Sequence, residues 1–195
     1  MRSELDLIRD LYNYNSVVRK EYLNIIFTKV PEEERYRPRG ASFPSLVDIF
    51  VHVLDAYRWW FIYVYNDRPS EYERLREKKK YTMQEVKEEE RKIDKLVLNF
   101  VKRLKQEDLD RKITFTYQSR SESITVRNMV VHMVEEELQH RGELNALLWQ
   151  LDIDPPILAF DDVIGLEEHL CKITDSLWYI KTTAKERIRK MSRIL

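Results

Sequence analysis

Glu136 and His140 stand four residues apart in the stretch His132-Met133-Val134-Glu135-Glu136-Glu137-Leu138-Gln139-His140-Arg141-Gly142-Glu143-Leu144. On a helix, at about 100° per residue, that spacing brings both side chains to one point beside the axis. Met129, Met133, Leu147 and Leu151 then fall within about 20° of the His140 direction, with Glu136 and Leu144 about 40° to either side. An apolar stripe therefore runs through a carboxylate and an imidazole. A buried, unpaired carboxylate is costly or takes up a proton. A divalent cation removes the cost by neutralising the acid.

Two ligands do not make a stable site, so a third must come from another helix. His52 is the natural candidate, flanked by Phe50-Val51 and Val53-Leu54 and in line with Ser45, Ile49, Ala56, Trp59 and Tyr63. The expected metal ligands are thus His52, Glu136 and His140, a two-histidine, one-carboxylate set suited to zinc and non-haem iron. Two plainer readings stay open. His52 could be a hydrogen-bonded core histidine, and Glu136 could pair with Arg58 or Arg141 across the helices.

Around this set, Arg141 and His132 are the candidates for a catalytic role. Arg141 could bind an anionic substrate group, or form a surface or interhelix salt bridge. His132 lies about 80° off the stripe and is expected at the rim, as a neighbour of the site or an alternative ligand. Glu135 and Glu137 are expected to point more outward, Glu137 being the nearer of the two to the site, and Met129 and Met133 into the core. Tyr57, Trp59, Trp60 and Tyr63 could wall a pocket or simply pack. His169 and Cys171 read as structural. No Ser-His-Asp grouping or reactive cysteine suggests covalent catalysis by the protein.

The elements that would position these residues read as helices. The first is expected over about Ser3 to Phe27, with Ser3 as cap and Leu7, Leu11, Tyr14, Val18, Tyr22 and Ile25 as its stripe. A second is expected to start near Pro44 with Ser42 as cap, carry His52 and stop around Asn66-Asp67-Arg68-Pro69. The charged run from Glu71 to Lys80 reads as a solvated connection. Thr82-x-x-Glu85 is a capping box for a third helix to about Lys105, with Val86, Ile93, Leu96, Val97, Phe100 and Leu104 inward. Two alternating β-branched pieces, Ile113 to Tyr117 and Ser123 to Val126, suggest a short hairpin or extended segment. The last bundle helix then runs from about Val126 to Leu151, and a helical segment from roughly Phe160 to Ile194 follows. The expected fold is all-α: a four-helix bundle over residues 1–156, with a C-terminal helical extension, 157–195, packed on the same domain.

Composition narrows the function classes. The 195 residues are 43% hydrophobic, enough for a core. Lys+Arg and Asp+Glu number 34 each, so no net charge draws the chain to nucleic acid or acidic membranes. Three glycines cannot build the Gly-rich phosphate loops of nucleotide enzymes. Cys171 is the only cysteine, so an intrachain disulfide is impossible and a reducing, cytoplasmic setting is expected. No signal peptide or run of about 18 apolar residues is visible. The locally basic stretch from Lys181 to Arg193 could touch RNA or anionic lipid, though a solvated helix face is the commoner outcome.

At its chemistry-bearing residues the chain resembles the DinB/YfiT-like superfamily of metal-dependent enzymes. Asp48-Ile49-Phe50-Val51-His52-Val53-Leu54-Asp55-Ala56 is similar to the family's first-ligand segment, and His140-Arg141-Gly142-Glu143 to its His-Arg-Gly-Gln signature. Leu147-Leu148-x-x-Leu151-x-x-Asp154-Pro155-Pro156 is similar to its exit from the bundle. The resemblance spans about Leu5 to Pro156. Family members commonly present three histidines; here His52 and His140 match, Glu136 replaces the middle one, and Glu143 replaces the glutamine. The resemblance implies a small-molecule enzyme, a hydrolase or thiol S-transferase (one relative is a thiol-dependent isomerase). It also implies a divalent metal such as Zn, Ni or Fe, with a low-molecular-weight thiol as a further cofactor, and a homodimer. The rival reading is a non-catalytic metal- or ligand-binding stress-response bundle. A ferritin-like di-iron site would need two Glu-x-x-His pairs, and the chain offers only Glu137 before His140.

Overall fold

The computed structural model describes residues 3–164. The chain divides into two units, Met1–Leu158 and Ala159–Leu195. Of the second, the described part is helical from residue 160 to 164, and the Ala159 N–H donates to Asp162 at 3.2 Å. The rest of the expected extension, with His169 and Cys171, lies outside the described residues.

The first unit is built on four long helices. α1 (Glu4–Lys29) starts at a capping box in which Ser3 and Asp6 satisfy each other's backbone N–H groups. A short α2 (Glu32–Arg35) leads into the loop 36–45. α3 (Leu46–Arg58) starts two residues later than Pro44 suggests, because Ser45, not Ser42, accepts the Asp48 N–H at 3.2 Å. It runs on as a π-helical turn, Trp59–Val64. α5 (Met83–Arg103) carries the expected Thr82–Glu85 box, and α6 (Val126–Trp149) is capped by Thr125.

Between α3 and α5 the charged run is more ordered than a solvated connection. A 3-10 turn (Pro69–Glu71) and α4 (Leu75–Lys78) dock on α3 through Asp55. Buried Asp55 accepts from Arg58 at 2.9 Å, the Tyr72 hydroxyl at 2.7 Å and the Leu75 N–H at 3.1 Å. Those three bonds satisfy the acid where water is excluded.

Before α6, β1 (Lys112–Tyr117) and β2 (Arg120–Thr125) pair antiparallel from Lys112↔Thr125 to Tyr117↔Arg120. Gln118 and Ser119 join them with φ of 48° and 64°. Positive φ at both loop residues suits the twist of a two-residue hairpin. Phe115 on β1 then meets Trp60 edge-on, ring centroids 5.4 Å apart.

α1 and α3 each pack against both α5 and α6, which makes an all-α four-helix bundle with one small hairpin. Met129, Met133, Ile49, Leu54, Ile26 and Val86 fill its centre with almost no exposure. Two stripe assignments fail. Leu7 is 50% exposed and Leu96 37% exposed, while Ile8 and Tyr12 turn inward on α1. The rest of each stripe holds, with Val18, Tyr22 and Ile25 buried on α1 and Val86, Ile93 and Val97 on α5.

Candidate metal centre

His52 projects from the middle of α3 towards α6, where Glu136 and His140 lie one turn apart. Glu136 Oε1 is 2.9 Å from His52 Nε2 and 3.2 Å from His140 Nε2. The ligand atoms of all three side chains lie within 4.8 Å of one another. The two imidazoles meet edge-on, centroids 4.7 Å apart. Neither arginine considered as a rival claims Glu136. Arg58 is held by Asp55, and Arg141 bonds Glu137 and Asn15.

The donor set fits a divalent cation. Two neutral imidazoles and one carboxylate are a common zinc and iron set. Ligand bonds of about 2.0–2.1 Å in a tetrahedral shell place neighbouring donors about 3.4 Å apart, close to the two spacings above. Glu136 is held far below the usual carboxylate range by hydrogen bonds to His140 and His52, so it is an anion ready to ligate. For His140, burial opposes the proton, but bonds to Glu136 and Glu143 outweigh it and raise the pKa. His140 Nδ1 lies 2.9 Å from Glu143, whose carboxylate also accepts the Ser42 hydroxyl at 2.6 Å. The next loop residue, Phe43, stacks on the His52 ring at 3.9 Å. Two of the three side chains are partly exposed: 27% for His52 and 19% for Glu136, against 5% for His140.

Directly behind the three donors lies a buried charge network. Glu137, expected to face outward, is only 3% exposed. It accepts from Arg19 at 2.7 Å, the Tyr57 hydroxyl at 2.6 Å and Arg141 at 2.9 Å. Arg19 also bonds Asp94 at 2.9 Å and Glu90 at 3.4 Å. Burial, then the charge of Glu137, push the Tyr57 phenol upward, so it stays a donor. A buried acid needs such partners, and they fix the rotation of α6 about its axis. That rotation is what turns Glu136 and His140 towards α3.

The DinB family profile matches residues 1–168. The chain belongs to the DinB family. A DinB-like protein from Bacillus subtilis, known from its crystal structure, has the same fold, with a TM-score of 0.57 and 18% identity over 77% of this DinB chain and 96% of that one. No curated protein matches.

Two other candidates of this DinB-family chain stand apart from the three donors. Arg141 is 7% exposed and bound into the Glu137 network, with Tyr14 beneath its guanidinium at 5.1 Å. Its salt bridge runs along α6 to Glu137, four residues away on the same helix, and its hydrogen bond to Asn15 reaches α1. His132 sits against Trp60, centroids 5.4 Å apart, and lies 3.6 Å from Glu135 on the outer side of α6. Trp59, Trp60 and Tyr63 pack on the hairpin and Tyr72, and Tyr57 is core. Sequence reasoning takes Ser42 for a helix cap, passes over Phe43, and meets Glu143 only as a departure from a signature. The one available signal was the three-residue spacing of Glu143 from His140, which puts both on one helix face.

Proposed function

We propose that this protein is a metal-dependent small-molecule enzyme, a hydrolase or thiol S-transferase, with His52, Glu136 and His140 as ligands. One observation carries the reading: a single carboxylate oxygen is met by two Nε2 atoms from different helices, beside the partly exposed side chains of His52 and Glu136. A divalent cation held there would lower the pKa of a water or thiol entering beside it and so supply a nucleophile at neutral pH.

This chain's own residues do the rest. Glu136 and the two imidazoles supply one negative charge, leaving a dication with residual positive charge to act on a fourth partner. Phe43 covers one face of His52 and shields that side from water. Partial exposure of His52 and Glu136 leaves the approach from which substrate arrives. A small electrophile, with water or a low-molecular-weight thiol as the second reactant, fits an opening of this kind. The same reading takes the protein as cytoplasmic and homodimeric. Val131, Leu138 and Trp149, exposed along one edge of α6, offer apolar surface for a second copy.

The test is turnover by protein loaded with Zn(II), Ni(II) or Fe(II), on a panel of activated esters and of electrophiles with a thiol. Turnover that a chelator removes and Glu136→Ala lacks supports the enzyme. Equal rates for loaded, stripped and variant protein would leave a bundle without catalysis.

A further inference from the structure

We propose that Glu143 is a positioning residue that fixes the His140 ring so that Nε2, and not Nδ1, is the nitrogen offered to the metal. This rests on the metal-centre reading above and adds to it the residue on which the geometry of one ligand depends.

A histidine has two nitrogens, and the torsion that chooses between them is soft. For an sp3–sp2 bond the rotamer wells are broad and roughly two-fold, so an unrestrained imidazole can present either edge. His140 is not unrestrained. Its Nδ1 lies 2.9 Å from the Glu143 carboxylate, one helical turn along α6. A carboxylate accepts and cannot donate, so this contact keeps a proton on Nδ1, and Nε2, which faces Glu136 at 3.2 Å, is the nitrogen whose lone pair a cation seated beside Glu136 would take.

Glu143 is itself held. The same oxygen, Oε2, takes the Ser42 hydroxyl at 2.6 Å. Ser42 belongs to the loop between α2 and α3, so the acid is gripped from outside its own helix. Phe43, the next residue, stacks on His52 at 3.9 Å, 22° from parallel, and meets His140 edge-on at 5.5 Å. One loop dipeptide thus reaches both histidines, His52 through its face and His140 through Glu143. Such carboxylate partners of metal-bound histidines orient the ring and raise its basicity, and their loss weakens metal binding about 10–100-fold.

The experiment measures Zn(II) affinity by competition with a chromophoric chelator for wild type, Glu143→Gln, Glu143→Ala and Ser42→Ala. Thermal unfolding of the metal-free proteins and the imidazole signals of 15N-histidine-labelled, zinc-loaded protein are recorded alongside. Glu143→Ala should bind Zn(II) about 10–100-fold more weakly. Glu143→Gln should lose less, because its amide oxygen still accepts from Nδ1–H, and Ser42→Ala less again. The metal-free Glu143→Gln protein should unfold with the wild type, which a merely structural acid would not allow. In loaded wild type the His140 proton should sit on Nδ1, in a hydrogen bond that Glu143→Ala removes. Zn(II) held equally by wild type and Glu143→Ala, or a His140 proton on Nε2, would overturn the inference and leave the metal centre standing. No Zn(II) uptake by the wild type would remove both.

Discussion

Arg19 and Glu137, 2.7 Å apart and both almost fully buried, tie α1 to α6 one residue away from Glu136. The anchor and Glu136 are therefore neighbours on one turn, and the anchor sets where Glu136 points. Arg19→Met should leave Glu137 short of its main counter-charge. Breaking a buried pair of this kind costs about 3–5 kcal/mol. Urea unfolding of the metal-free variant measures it, and a loss under about 1 kcal/mol would show that the network contributes little.

Tyr57 supplies the neutral part of the same cage. Tyr57→Phe removes a donor 2.6 Å from Glu137 while keeping the ring under Arg19. Leaving one buried acceptor site short costs about 1–3 kcal/mol. The same unfolding experiment should place this variant between wild type and Arg19→Met.

How far the site could be read in advance depended on where each partner lay. Glu136 and His140 announced themselves, because their spacing is local and the apolar stripe made them anomalous. His52 followed from being the polar residue in an apolar run. Glu137 was misjudged for the opposite reason: its partner Arg19 is 118 positions away, and a helical wheel of α6 cannot show what α1 brings to its flank. The Ser45 cap displaced Ser42, and Ser42 turned out to bond Glu143 across 101 positions. The π-helical turn at 59–64 left no periodic signature, since six aromatic and aliphatic residues satisfy either winding. Helix existence was legible from caps and stripes; helix rotation was decided by long-range charge.

Acid and base should both loosen the metal-free protein. The depressed Glu136 carboxyl stabilises the fold above its ordinary value of 4.5, and that contribution disappears as pH falls through the depressed value. The raised His140 imidazole stabilises below its ordinary 6.5, and that contribution disappears as pH rises through the raised value. Tm should therefore fall as pH rises from 6.5 through the raised value in metal-free wild type and stay level there in His140→Ala. Metal uptake should strengthen over the same range, since the cation displaces a proton. Identical pH profiles for the two proteins would contradict the assignment.

His132 offers a control within the same helix. It packs on Trp60 and pairs with Glu135 rather than with the three donors. His132→Ala should hold metal within about twofold of wild type, as expected for a site that shares no partner with the ligands. A large drop, read by the same chelator competition, would bring His132 into the ligand set.

On the proposed reading one cation joins His52, Glu136 and His140. Mass-spectrometric metal content of protein purified without a metal-affinity tag tests it most directly, comparing wild type with His52→Ala and Glu136→Ala. The account predicts about one equivalent of a transition metal in the wild type and little in either variant. The same occupancy in all three proteins would contradict it.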